Sequence, residues 1–167
     1  MPWRPFDEPF ALPNAMSLPD PISMPEPQWL WHCNHVIASR PEASRQVQDE
    51  ILQQMERLNW GEHDVFGVRL AMEEALINAI KHGNHYDPAK RVVVFCGISA
   101  SLLRIEIEDQ GKGFDLSAVP DPTDPENLES PCGRGIMLMR GFMSRVEFNE
   151  NGNRVVLEKD MTLPEDA

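Results

Sequence analysis

Four polar residues interrupt an otherwise apolar stretch: Glu74, Asn78, Lys81 and His82 stand at i, i+4, i+7 and i+8. At 3.6 residues per turn that spacing gathers them into one stripe of a helix, an acid and an amide where apolar neighbours dominate. Asp109-Gln110-Gly111-Lys112-Gly113 sets a second acid just before two glycines. Such glycines let another molecule approach the main chain. Gly133-Arg134-Gly135-Ile136 opens a short apolar pattern. Free N–H groups at a helix start, with the positive end of the dipole behind them, make an anion site. Each feature also has an ordinary reading: a solvated helix face, a tight turn, and a helix-end histidine with no second ligand at metal spacing.

The positioning elements follow from periodicity. Val65 to Ile80 is apolar around most of the helical wheel, so this helix is covered on more than one side, and Gly83 offers a left-handed stop. Along Leu102 to Asp109, Leu103, Ile105 and Ile107 alternate with Arg104, Glu106 and Glu108, which makes Asp109 the last member of the core-facing row. A carboxylate there needs a donor. Arg91 to Ser99 is a nearly continuous apolar run, the pattern of a strand covered on both faces, and pairs with the next strand across Ser99-Ala100-Ser101. Upstream, Gln28 to Ile37 alternates with Trp29, Trp31 and Cys33 on one side. Ser39-Arg40-Pro41 then starts a helix whose stripe is Val47, Ile51, Met55 and Leu58. A third helix spans Ile136 to Met143, and Arg145 to Asn149 and Arg154 to Lys159 flank the turn Asn151-Gly152. The order predicts an α+β two-layer sandwich, helices on one side of a mixed, mostly antiparallel sheet.

A chain of 167 residues suits one domain. Its first 27 residues hold 8 of the 15 prolines and no period, so residues 1–27 read as a disordered arm, 28–160 as the folded domain and 161–167 as a tail. The net charge of -12 argues against nucleic acid and anionic membrane as partners. No stretch is long or apolar enough to span a bilayer, and Met1 to Asp20 lacks a signal-peptide layout. Cys33, Cys96 and Cys132 form no Cys-x-x-Cys pair, so reduced cysteines in a cytoplasmic protein, and no zinc site, are expected. Between Asp115 and Cys132 an irregular segment with 4 prolines, 5 acids and no Lys or Arg has the composition of a lid or an insert.

The helical Glu74…Asn78, the strand-end Asp109-x-Gly-x-Gly and the helix-opening Gly133-x-Gly stand in an order that resembles the N, G1 and G2 boxes of the GHKL superfamily, whose members share a Bergerat-type ATP-binding fold. Within it, the run Glu74-Ala75-Leu76-Ile77-Asn78-Ala79-Ile80-Lys81-His82-Gly83 and the small size are most similar to bacterial anti-sigma factor serine/threonine kinases. The resemblance implies Glu74 as general base and Asn78 as ligand to Mg2+, with Lys81 and His82 beside the ATP. It implies that Asp109 takes the adenine amine, that Gly111 and Gly113 let the purine and ribose lie on backbone, and that Gly133, Arg134, Gly135 and Ile136 wrap the phosphates. Lys112, Arg134 and Arg140 would offset phosphate charge. One departure stands out: where such kinases carry Gly-Thr in the last strand, this chain has Gly152-Asn153.

The expected function is therefore a serine/threonine kinase that binds a sigma factor, phosphorylates a serine on its antagonist, and forms a homodimer. The alternative is a partner-switching module that sequesters a regulatory protein and uses ATP only as a conformational ligand. A histidine kinase is disfavoured, since the helix Glu42 to Leu58 carries no acceptor histidine.

Overall fold

Among the described residues the chain runs β1 (Trp31–Ala38), α1 (Pro41–Arg57), α2 (Glu62–Ile77), β2 (Arg91–Ile98), β3 (Leu102–Glu108), α3 (Arg134–Phe142), β4 (Arg145–Phe148) and β5 (Arg154–Asp160). A single π-helical turn, Asn78–Gly83, prolongs α2. This computed structural model describes residues 27–119, 121, 123–127 and 133–164. The proline-rich arm, apart from Pro27, and Cys132 lie outside them. So does part of the segment after Asp115, whose described portion holds two short 3-10 turns, Leu116–Ala118 and Pro125–Asn127.

The strands lie in the order β1-β2-β3-β5-β4, and each pairing is antiparallel, so the sheet expected to be mixed is antiparallel throughout. Val92, Val94, Cys96 and Ile98 of β2, Leu103, Ile105 and Ile107 of β3, and Val155 and Leu157 of β5 join one core with Val47, Ile51 and Met55 of α1. Helix α2 lies in the middle of that layer, touching α1, α3 and the sheet, which explains its apolar circumference.

The alternation holds on the far face, with one surprise. Glu106 points away from the core yet is only 1% exposed, held between Arg104 at 2.8 Å and Arg154. Glu158 is likewise held between Arg104 at 2.8 Å and Arg145. Trp29 corrects the expected register: its ring packs edge-on against Phe95, centroids 6.1 Å apart, and fills the space over Gly97. Phe95 and Gly97 face away from Cys96, so Trp29 lies on the side opposite to Trp31 and Cys33. This contact covers the second face of β2.

Two helix starts are tied to distant segments. Pro41 opens α1 as predicted, but the N-cap is Arg40 and Ser39 caps nothing. Its hydroxyl donates instead to the Lys90 carbonyl at 2.9 Å. After β5 the chain stays attached, because Asp64, 1% exposed at the start of α2, accepts from the Thr162 N–H at 2.8 Å and hydroxyl at 2.7 Å. A buried carboxylate thereby obtains donors that the helix dipole alone would not supply.

Candidate functional site

The π turn decides which polar residues of the second helix face the same way. The N–H of Asn84 reaches back five residues to the Ala79 carbonyl at 2.8 Å, widening the last turn. Glu74, Asn78 and His82 consequently line one cavity with Gly83, while Lys81 is exposed and takes no part in the lining. Gly83 does not adopt the left-handed conformation expected of a helix stop; the positive φ angles fall at His85 and Tyr86. A Cβ at Gly83 would occupy the place of the Asp109 carboxyl group, so glycine is required here by close approach.

The cavity, of about 320 Å³, brings Asp109, Gly113, Gly133, Gly135 and Ile136 opposite that helix, a size within the range of small-ligand sites. Its apolar wall comes from Ile107, Phe114, Met139, Phe148 and Val155. Gly133 caps α3 with a φ of 82°, and Gly135, in the first turn, abuts Glu74 so closely that a Cβ would meet the carboxyl group. Three segments far apart in the chain are thereby in contact. The side chains of Glu74 and Asn78 have no hydrogen-bond partner among the described residues and are open to a ligand.

Asp109 ends the inward row of β3 at 8% exposure. Its Oδ1 accepts from the Gly111 N–H at 2.8 Å. Burial pushes its carboxyl up to about 6, opposed by that N–H, while Glu108 raises it further and Lys90 and His85 pull it down. Gly111 lies against Gly83 and forms no wall of the cavity; Lys112 and Arg134 are exposed and also lie outside the lining. Arg140 sits elsewhere, in a shallow depression with Ser144 to Glu147.

Two asparagines hold the Asp109 loop, one of which, Asn84, the sequence did not single out. Asn84 is 0% exposed; its amide nitrogen donates to Ser39 Oγ at 2.8 Å and the Arg91 carbonyl at 2.9 Å, and its Oδ1 accepts from the Gln110 N–H at 2.8 Å. One side chain thus ties the end of β1 and the start of β2 to the loop that carries Asp109. Asn153, in place of threonine, donates to the Asp109 main-chain oxygen at 3.1 Å and leaves the carboxylate to the cavity. Asn84 stands in no periodic pattern; its only signal was a polar residue directly after Gly83.

An antiparallel sheet under three helices, with an acid and an amide facing two glycine turns across a cavity, defines the class. The sequence profile described as "Histidine kinase-like ATPase domain" matches residues 37–159, and the chain belongs to that family. Among its relatives, a protein named serine-protein kinase RsbW from Oceanobacillus iheyensis is 26% identical over 110 residues, 62% of this chain and 70% of the relative. An anti-sigma F factor from Clostridium perfringens is 31% identical over 100 residues, 56% of this chain and 71% of the relative. The fold is similar to a solved structure of the RsbU and RsbW domains of a Mycobacterium tuberculosis protein, with a TM-score of 0.57 at 15% identity, covering 81% of this chain. The chain spans 33% of that longer solved chain.

Proposed function

We propose that this chain is an ATP-dependent serine/threonine protein kinase of the anti-sigma type, which binds a sigma factor and phosphorylates a serine on the sigma factor's antagonist. The observation that carries the reading is the convergence of Glu74, Asn78, Asp109 and Gly135 on one cavity. Names of relatives support the same class: a serine-protein kinase and an anti-sigma factor.

In this reading Asp109 accepts from the adenine amine, and Gly113 with Phe114 borders the base. Asn78 offers its amide oxygen to Mg2+, a hard cation that neutralises phosphate charge and is content with few protein ligands. The free N–H groups at the start of α3 receive the phosphate oxygens. Glu74, beside that helix start, takes the proton of the acceptor serine as its oxygen attacks the terminal phosphorus, and the bond from that phosphorus to the β-phosphate oxygen breaks to release ADP. Phosphoryl transfer asks for positioning and charge stabilisation more than covalent help, so this set is sufficient. Lys112 and Arg134 act from the rim, and Lys81 has no role in the site.

Residues 28–160 are the proposed kinase domain, in a cytoplasmic protein that acts as a homodimer. No helix among the described residues is long and apolar enough to cross a membrane. The test is incubation with Mg-ATP and the cognate antagonist. Phosphoserine should form, and Glu74→Gln should slow transfer by roughly 10²–10⁴-fold while nucleotide still raises the melting temperature. Equal transfer by Glu74→Gln would reject the assignment of the base. Partner binding that responds to ATP without any phosphoserine would establish the sequestering module instead.

A further inference from the structure

We infer that Cys33 and His35 of β1, together with Glu50 of α1, form a binding site for a borderline transition-metal dication, zinc foremost. One ligand atom from each lies within 4.8 Å of the others, and the His35 ring nitrogen Nε2 is 2.8 Å from Glu50 Oε2. A strand period of two puts residues 33 and 35 on one face, and α1 lays Glu50 across them. The side chains of His35 and Glu50 are 36% and 40% exposed, so an ion has a path in from solvent. β1 is the edge strand of the sheet, and none of the three lines the nucleotide cavity.

The donor set selects the ion. Sulfur, imidazole nitrogen and a carboxylate suit zinc and its neighbours, whereas magnesium and calcium prefer oxygen alone. Ligand atoms around one zinc ion stand about 3.5 Å apart, a small rearrangement from the present cluster. With the ion on Nε2 the imidazole ring keeps its single proton on Nδ1, the proton of the Cys33 thiol leaves to solvent, and water takes the fourth position. The Glu50 carboxylate also lies close to that thiol. The negative surroundings that resist a second anion are favourable to a dication.

The test is titration of the full chain, stripped by chelator and free of nucleotide, with Zn2+ by calorimetry and with Co2+ by absorbance. One ion per chain should bind, and Co2+ should give a thiolate charge-transfer band. His35→Gln, at a half-exposed position that leaves the fold intact, and Cys33→Ser, checked for an unchanged melt, should each weaken binding on the order of tenfold or more. Cys33→Ser should also abolish the band. Asp109→Asn should bind zinc as the parent does, separating this site from the nucleotide cavity. No stoichiometric uptake, or equal uptake by both ligand variants, would overturn the proposal.

Discussion

Asp109 sits where burial opposes its own charge, and its role depends on that charge. With a carboxyl near 6 in the folded chain against an ordinary value of 3.8, the folded state holds more of this proton than the unfolded one between those values. The stability it contributes is therefore complete below about 4 and is lost as pH rises through about 6. With Asp109 in its proposed role toward adenine, nucleotide binding runs the other way, because the ionised carboxylate is the stronger acceptor. ATP affinity measured by thermal shift or calorimetry should fall as pH drops through about 6. Asp109→Asn should bind weakly at pH 7 and lose the pH dependence; a parent-like profile in that variant would remove Asp109 from the site.

The end of α2 is shaped by its neighbours more than by its own sequence. Alanine in place of a helical glycine ordinarily stabilises by up to about 1 kcal/mol, and an isolated helix carrying Gly83→Ala should gain. In the protein the added carbon overlaps the Asp109 carboxyl group. Gly83→Ala should therefore lower the melting temperature and weaken ATP binding on the order of tenfold, a change of roughly 1.4 kcal/mol. A raised melting temperature with unchanged affinity would show that Asp109 moves aside freely. Asn84 presses the same point from the other side. Ser39, Arg91 and Gln110 meet at its side chain, so the helix end, β1, β2 and the Asp109 loop move together.

The whole sheet is held from both sides by different chemistry. Its helix-covered face is apolar, and its other face carries Glu106 and Glu158 among Arg104, Arg145 and Arg154, with Trp29 over Phe95. These ion pairs join β3, β5 and β4, the strands that flank the cavity. Losing one partner of a buried pair costs about 3–5 kcal/mol, because the remaining charge stays desolvated. Arg104 and Arg154 are partly exposed, so Glu106→Gln should cost less, about 2 kcal/mol after screening. The urea midpoint should fall accordingly with an unchanged slope; a change within about 0.5 kcal/mol would show the network to be dispensable.

The alternation of Leu103, Ile105 and Ile107 was enough to turn Asp109 inward, and the spacing of Glu74 and Asn78 was enough to set them on one face. Those are consequences of local periodicity, which a single chain carries by itself. The order of elements likewise followed from where the periods change. Lys81 leaves the cavity, by contrast, because a π turn intervenes; Trp29 crosses to the other face to cover Phe95; and Gly83 is glycine for the sake of a carboxylate 26 residues away. The meeting of Asn84 with Ser39, and of Cys33 and His35 with Glu50, belongs to the same group. Each depends on contacts between segments distant along the chain, and such contacts acquire their geometry only when the helices close over the sheet.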